Sequence, residues 1–373
     1  MNDHDSMTPP GSHPSSIFLE ACRSQLSAPI PVWFPVTRPG KQYPARGQQS
    51  IPPLPDLFQS PDAIRKSTLD SVSLLNPDAV LLASDGMLPL QGMGVRLQDD
   101  RGMQFQAASP LRSPRDIDLL GTPPAEEHLS PTLSAIPPLQ QACHTRGFPL
   151  VGWARAPLSL ALDAIDGPRS AHSENTRTLL YHHPAAWKRL MEKLVTVTAD
   201  YVQHQVRAGV QAVLIDDPVS GSMLPPADYR RHIFPYLAQL LDRLRNLEIP
   251  VLYHSALQQP LLGEVAGLAD VISLEYRIPR ESALQALDPN QALQITLDPL
   301  LFSAPWREVK VHLDAFLDAA AGRSGTLLGV FDPGTDNVNR RNLRRTVEYI
   351  HHQTRLEVRP PRSPVKETRG GKR

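Results

Sequence analysis

An aspartate that follows a buried apolar run offers the clearest chemistry in this sequence. Residues 79–83 are apolar over the length of a β-strand, Asp85 comes next but one, and a loop punctuated by Gly and Pro begins at Gly86. A carboxylate held where a buried strand meets its exit loop can stabilise positive charge that develops on a bound molecule. The pattern predicts a catalytic role for Asp85, although an aspartate in this position also caps loop backbone.

Other ionisable residues end apolar runs further along the chain. Asp216 and Asp217 are adjacent, and neighbouring side chains on a strand point to opposite faces, so at most one of them is expected to face inward. Either could act as a general acid or base, and capping of the loop that follows is the alternative role. His254 has too few Cys and His neighbours for a zinc site and is interpreted as a hydrogen-bonding histidine. Glu275 and Arg277 lie two residues apart, which predicts a buried ion pair.

Eight short apolar stretches alternate with helical patterns and determine which fold can position these residues. The strand candidates are residues 30–36, 79–85, 148–154, 212–216, 251–254, 271–276, 293–297 and 326–331. Apolar periodicity predicts helices over residues 184–208, 228–247, 306–321 and 341–353. This alternation predicts a parallel sheet closed into a single-domain (β/α)8 TIM-like barrel, with its working face at the carboxyl ends of the strands.

The composition of the chain argues against several classes of protein and several kinds of binding partner. The chain has 373 residues, 41% of them apolar and 20% charged, with a formal net charge of zero. Because the net charge is zero, no overall electrostatic field favours the binding of nucleic acid. The sequence contains no run of about 18 apolar residues, so no membrane span is predicted. Only two cysteines occur, so we expect neither a disulfide framework nor a thiolate metal site, and the cytoplasm is the predicted compartment.

The chain is predicted to fold as one unit between two tails. Residues 1–14 are rich in Pro, Ser and Gly and are predicted to form a disordered lead, and residues 358–373 a basic disordered tail. The barrel is expected to occupy residues 15–357. Within it, residues 99–138 are rich in Pro and show little apolar period, so they are predicted to form a long loop insertion after the second strand.

Four segments in the right order resemble uroporphyrinogen decarboxylases. They are FLEACR followed by PVWF within residues 18–34, SDGMLPLQGMGV at 84–95, PLVGWARAPLSL at 149–160 and QITLDP at 294–299. The third is similar to PLIGFAGAPWTL of the family, and the fourth to QGNLDP. Together they indicate a divergent member of the uroporphyrinogen decarboxylase superfamily, which also includes cobalamin-dependent methyltransferases.

The resemblance implies a lyase that removes acetate carboxylates from a tetrapyrrole without a cofactor, and it implies a homodimer. Asp85 would hold the macrocycle by its pyrrole N–H groups. The family's loop RQAGRYLP is matched by TRPGKQYP at residues 37–44, which places Thr37, Arg38 and Lys41 against carboxylates of the substrate. Ser220 stands in a loop where the family has a serine or threonine that contacts the substrate.

Several positions depart from the family pattern. Asp163 takes the place of a substrate-binding tyrosine and would repel an acetate arm unless it is turned away or protonated by burial. The family's histidine on the eighth strand has no counterpart near residues 329–333. His254 stands where the methyltransferases have an H-x-C zinc pair, but Ala256 replaces the cysteine, so His254 is predicted to bind substrate and no metal is assigned. A corrinoid or thiol methyltransferase-like protein, and a barrel that binds a tetrapyrrole without turnover, are the alternatives.

Overall fold

The strands form one parallel barrel sheet and one small hairpin. A computed structural model describes residues 14–25, 28–35, 53–100, 104–167, 173–218, 223–257, 259–331 and 338–356. The strands in these ranges are β1 Val32–Trp33, β2 Val80–Leu81, β3 Leu97–Asp99, β4 Phe105–Ala107, β5 Leu150–Arg155, β6 Ala212–Asp217, β7 Val251–Ser255, β8 Val271–Leu274, β9 Ala292–Thr296 and β10 Thr326–Gly329. Eight pair in parallel in the order β1-β10-β9-β8-β7-β6-β5-β2, whereas β3 pairs with β4 in an antiparallel hairpin. The predicted (β/α)8 barrel is confirmed.

Helices connect the barrel strands and cover the sheet. They are α1 Pro14–Cys22, α2 Leu54–Gln59, α3 Pro61–Leu75, α4 Leu88–Gly92, α5 Pro114–Asp118, α6 Ala125–His128, α7 Ser130–Thr145, α8 Pro157–Ile165, α9 Glu174–His182, α10 Pro184–Ala208, α11 Pro226–His232, α12 Phe234–Leu244, α13 Gln259–Val265, α14 Arg280–Ala286, α15 Trp306–Ala320 and α16 Arg340–Leu356. Several begin with proline, which is tolerated in the first turn because its missing N–H would have no helical partner there. None of the helices in the described ranges is long and apolar enough to cross a membrane.

Alternation along the strands divides the core into an inner and an outer cluster. On β6, Ala212 belongs to the cluster inside the barrel and Val213 to the cluster beneath the helices. Phe18 of α1 joins the inner cluster, and Ser24, just after α1, donates a 2.7 Å hydrogen bond to the carbonyl of Asn290 before β9. Helix α1 therefore closes the amino-terminal end of the barrel and leaves the carboxyl end for the site.

A side chain completes the barrel where regular strand pairing stops. Strands β1 and β2 stand at the two ends of the strand order. Between them, the buried Asp78 donates its backbone N–H to Val32 O at 2.9 Å, and its Oδ2 accepts the Val32 N–H at 2.7 Å. Nε2 of His351, on the last helix α16, lies 2.8 Å from the same Oδ2. We call this contact of Val32, Asp78 and His351 the seam.

Two predicted elements end earlier than their apolar pattern. The strand predicted over residues 79–85 is β2, Val80–Leu81, so Asp85 lies in the loop between β2 and α4. The helix predicted over residues 228–247 is broken into α11 and α12 at Ile233. The break precedes Pro235, which has no N–H to continue the helical hydrogen bonds although the apolar period continues.

The segment 99–138, predicted as an insertion after the second strand, contains regular structure. It includes β4, α5, α6 and the first part of α7. Pro137 and Pro138 lie inside α7, where each removes a helical hydrogen-bond donor. Helix α7 nevertheless buries Ile136 and Leu139 and packs against α3 and α10, so tertiary packing overrides the local preference that the sequence suggests.

Candidate active site

Ionisable side chains gather at the carboxyl ends of the barrel strands. We call this set the rim cluster; its members are Asp85, Arg155, Asp163, Asp216, His254 and Glu275. Each of the carboxylates and the histidine is less than a tenth exposed. Active sites of such barrels occur at this end because the loops after the strands converge there. The rim cluster is therefore the candidate active site.

Asp85 is held by the turn that follows β2. Its side chain is buried, with 7% of the residue exposed, and its Oδ1 accepts a 2.8 Å hydrogen bond from the Met87 N–H. Behind it, Ser84 Oγ lies 3.0 Å from Tyr201 Oη, and burial, followed by the charge of Asp85, raises the pKa of Tyr201 to about 12. The carboxylate thus caps a loop, as its position predicted, and also stands at the rim in a defined orientation.

Arg155 passes directly over the loop that carries Asp85. A Cβ atom built on Gly86 would lie 2.3 Å from Cγ of Arg155, so any larger residue at Gly86 would displace the arginine. The close approach explains why glycine follows Asp85 at this point of the loop. It also brings the guanidinium into the electrostatic range of the Asp85 carboxylate.

The guanidinium of Arg155 forms a buried ion pair with Asp163. Nε of Arg155 lies 3.3 Å from Oδ2 of Asp163, and their side chains are 20% and 6% exposed. Burial opposes the charge of Arg155, but the carboxylates of Asp163, Asp216, Asp85 and Asp217 outweigh it and raise the pKa of the guanidinium. Asp163 was predicted to repel an acetate arm unless turned away or protonated; the structure supplies a third arrangement, in which a cation offsets its charge.

The adjacent aspartates of β6 have separate surroundings. Asp216 pairs in register with Arg155 of β5 and, by alternation, continues the inward face. Asp217 turns outward, where its Oδ1 accepts a 2.6 Å hydrogen bond from Ser159 and its Oδ2 a 3.0 Å hydrogen bond from Tyr253. Burial raises the pKa of Asp217 to about 6, while these two hydrogen bonds and Arg155 lower it.

The raised pKa of Asp217 predicts a pH-dependent contribution to stability. The folded protein binds a proton at this carboxyl more tightly than the unfolded chain does, so the contribution is complete below about pH 4 and is lost as the pH rises through about 6. We expect the free energy of unfolding of the wild type to fall by about 2 kcal/mol relative to Asp217→Asn between pH 4 and pH 7. Urea unfolding across this pH range measures the difference. Asp242→Asn, at a side chain that is 73% exposed, is the matched control, and parallel profiles for wild type and Asp217→Asn would contradict the assignment.

His254 lies one residue before the end of β7 and faces the barrel interior. Its ring stacks on Phe331, with centroids 3.8 Å apart and planes inclined by 14°. Burial lowers the pKa of His254 to about 3, against a hydrogen bond to the backbone of Ser273 that raises it. The imidazole is therefore neutral at physiological pH. No group of three or more His, Cys, Asp or Glu side chains suited to a metal occurs among the described residues.

The ion pair predicted after the sixth barrel strand forms, but it is not buried as expected. Arg277 Nε donates to both oxygens of Glu275, at 2.9 and 3.0 Å, and the Arg277 N–H donates to Oε2 at 2.9 Å. Glu275 is buried, whereas the side chain of Arg277 is 70% exposed and lies over the ring of Tyr276. The chain turns outward after β8, which carries Arg277 into solvent.

The remaining predicted site residues lie outside the described ranges. They are Thr37, Arg38, Lys41 and Ser220. The rim cluster thus unites five residues that were singled out from the sequence, and it adds Arg155. The five are Asp85, Asp163, Asp216, His254 and Glu275. Arg155 was not among the predicted site residues, although it is the one charged residue within residues 149–160 and stands where the matching family segment has glycine.

The chain matches one known protein family over most of its length. A family model described as "Uroporphyrinogen decarboxylase (URO-D)" matches residues 13–351. The uroporphyrinogen decarboxylase of Thermobifida fusca (strain YX) is 32% identical over 342 residues, which cover 91% of this chain and 93% of that protein. That of Roseiflexus sp. (strain RS-1) is 31% identical over 343 residues, 90% and 98% of the two chains. A solved methyltransferase from Methanosarcina mazei covers 91% of this chain and 98% of its own, with a TM-score of 0.74 at 16% identity, and so shares the fold.

Proposed function

Because the chain belongs to the uroporphyrinogen decarboxylase family, we propose that it removes acetate carboxylates from a tetrapyrrole of the uroporphyrinogen type. The reaction needs no cofactor when the pyrrole ring itself accepts electrons. The observation that carries the proposal is the buried carboxylate of Asp85, which the Met87 N–H orients at the rim of the barrel. A carboxylate in low-dielectric surroundings stabilises a developing cation far more than it would in water.

Asp85 would act on the nitrogen face of the macrocycle. In the reaction, the ring is first protonated, and the bond between the acetate methylene and its carboxylate carbon then breaks. Carbon dioxide leaves, and the electron pair neutralises the ring. A second proton converts the methylene to a methyl group, and the ring releases the first. The positive charge is greatest before the bond breaks, so a carboxylate that accepts from the pyrrole N–H groups stabilises that stage selectively.

The carboxylate arms of the substrate need cations and neutral donors. We assign Arg38 and Lys41 to these arms as cations, and Thr37 and Ser220 as hydroxyl donors, on the basis of their positions in the family segments. The pairing of Asp163 with Arg155 supports this assignment, because it removes the repulsion that an isolated Asp163 would exert on an acetate arm. We extend the proposal to a cytoplasmic homodimer, the arrangement that the family resemblance suggests.

Product analysis tests the proposed reaction directly. We expect purified protein, incubated with uroporphyrinogen under reducing conditions, to yield a series of porphyrinogens with progressively fewer carboxylates. Oxidation to porphyrins and chromatographic separation by carboxylate number measures the yield. Heat-denatured protein is the control. Recovery of the octacarboxylate alone would refute decarboxylation, and binding of uroporphyrin without turnover would then favour a barrel that only binds the tetrapyrrole.

A further inference from the structure

Arg155 faces the mouth of the barrel from the last position of β5. Val151 and Trp153 of the same strand belong to the inner cluster, so alternation places Arg155 on the inward face as well. The buried Trp153 fills the barrel beneath it, and α1 closes the amino-terminal end. Solvent therefore reaches the exposed 20% of the Arg155 side chain through the carboxyl-terminal mouth, where substrates enter barrels of this kind.

The guanidinium of Arg155 is held by charge and not by hydrogen bonding. Nε lies 3.3 Å from Oδ2 of Asp163, but this nitrogen is buried and has no hydrogen-bond partner in the described part of the chain. A guanidinium carries five N–H donors, and a buried polar atom without a hydrogen bond is uncommon in folded proteins. A second carboxylate beside Arg155 would supply the hydrogen bonds that this ion pair lacks.

The charges around Arg155 favour an anion at this point of the mouth. Among the described residues of the rim cluster, Arg155 is the one cation, and it stands with four carboxylates and a neutral histidine. A carboxylate that enters the mouth is repelled by those four groups and attracted by the guanidinium. The position beside Arg155 is therefore the most favourable one that the described rim offers to a negative charge.

Arg155 also lies close to the carboxylate that is proposed to bind the ring nitrogens. A Cβ atom on Gly86 would lie 2.3 Å from Cγ of Arg155 and 3.0 Å from its Nε, so the side chain crosses the loop directly after Asp85. A macrocycle whose N–H groups meet Asp85 carries its carboxylate arms around its edge. An arm on the side of Gly86 would then come next to Arg155.

We propose that Arg155 bridges Asp163 and a carboxylate arm of the substrate, as a substrate-binding residue in addition to those assigned above. The inference rests on the proposed function, which supplies the arm. The matching family segment has glycine at Arg155 and tyrosine at Asp163. This chain thus has a guanidinium, with a charge and two parallel donors, where the family has one hydroxyl donor.

A purely structural role for the pair predicts a different response when both charges are removed. Arg155→Gln combined with Asp163→Asn leaves the net charge of the rim unchanged and buries no lone charge. If Arg155 served only to offset Asp163, this double variant would bind an anionic ring as well as the wild type does. If Arg155 contacts the ring, an arm of the ring loses its donors and the affinity falls.

Binding of uroporphyrin, the stable oxidised ring, distinguishes the two roles without turnover. We expect Arg155→Gln with Asp163→Asn to lose affinity about tenfold or more in a fluorescence titration. Its affinity should also fall less steeply with added salt, because one attraction between protein and ligand is gone. The matched control is Arg189→Gln with Asp118→Asn, at an exposed pair with a separation of 2.9 Å, and it should bind as the wild type does.

Each outcome of the titration decides between the alternatives. Wild-type affinity and salt dependence in the double variant would overturn the assignment of Arg155 while leaving the proposed function intact. Failure of the wild type to bind uroporphyrin would overturn the proposed function and this inference with it. Circular dichroism and thermal unfolding establish that the double variant folds.

A second variant tests the same contact if the double variant does not fold. Arg155→Lys keeps the charge beside Asp163 but presents a point charge in place of a planar fork. We expect its affinity for uroporphyrin to fall about threefold. An affinity equal to that of the wild type would contradict two-pronged binding of an arm by Arg155.

Discussion

Asp85→Asn will lower the rate of uroporphyrinogen decarboxylation by about 10²–10³-fold, because it removes the negative charge that stabilises the protonated ring. The substitution preserves the shape of the side chain. Its remaining oxygen can still accept the Met87 N–H at the turn before α4, so the fold should persist. Turnover is measured by counting product carboxylates, and the fold by thermal unfolding.

The exposed Asp242 supplies the matched control for this experiment. Asp242→Asn removes the same charge from α12, at a side chain that is 73% exposed, and should leave both rate and stability unchanged. A decarboxylation rate in Asp85→Asn equal to that of the wild type would remove Asp85 from the mechanism. Loss of the folded state instead would mean that the capping bond at Met87 dominates the role of this residue.

Arg155→Gly will destabilise the protein by about 3 kcal/mol, because it leaves the carboxylate of Asp163 buried without its cation. The family segments suggest a compensating change: they carry glycine where Arg155 stands and tyrosine where Asp163 stands. We therefore expect Arg155→Gly combined with Asp163→Tyr to recover most of the lost stability. Urea unfolding of both single variants and the double variant gives the coupling energy as a double-mutant cycle.

The pair of Arg277 with Glu275 provides the comparison within the same rim. It has similar distances, but the side chain of Arg277 is 70% exposed, so Arg277→Gly should cost less than about 1 kcal/mol. Equal losses for the two arginines, or a double variant no more stable than Arg155→Gly, would show that Arg155 and Asp163 do not compensate each other.

Most of the architecture could be predicted because it depends on local patterns that repeat. Short apolar runs that alternate with helical periods led to the barrel and to α10, Pro184–Ala208, whose predicted bounds are confirmed. The ends of the strands were harder to predict, because apolar character continues beyond the last hydrogen-bonded pair of the sheet. Leu82 is buried and its N–H still donates to Val151 O, although β2 has ended. Pro235 interrupts a helix whose apolar period continues, so periodicity alone overestimated its length.

The candidate site was harder to predict because its partners come from different elements. Asp163 was judged by its charge alone, whereas its effect depends on Arg155, which is close only because β5 turns directly into α8. Alternation along each strand predicts that Ser273 and Gln294 face inward. Their contact also depends on the register between β8 and β9, which the sequence of either strand alone does not determine. For Glu275 and Arg277, burial was predicted where the structure shows exposure. A spacing of two residues suggested a buried pair, but the chain turns away from the barrel before Arg277, whose side chain is exposed.

The seam has a consequence for the order of events during biosynthesis. It joins Val32 and Asp78 near the start of the chain to His351 in the last helix, and a neighbouring bond joins Ile30 N to Thr354 Oγ1 at 3.2 Å. These contacts span nearly the whole polypeptide. A nascent chain that still lacks α16 has all eight barrel strands, but Asp78 lacks its contact with His351 and Ile30 lacks its bond to Thr354. We infer that docking of α16 completes the seam after the barrel strands have paired, so that the last helix locks the first strand in place.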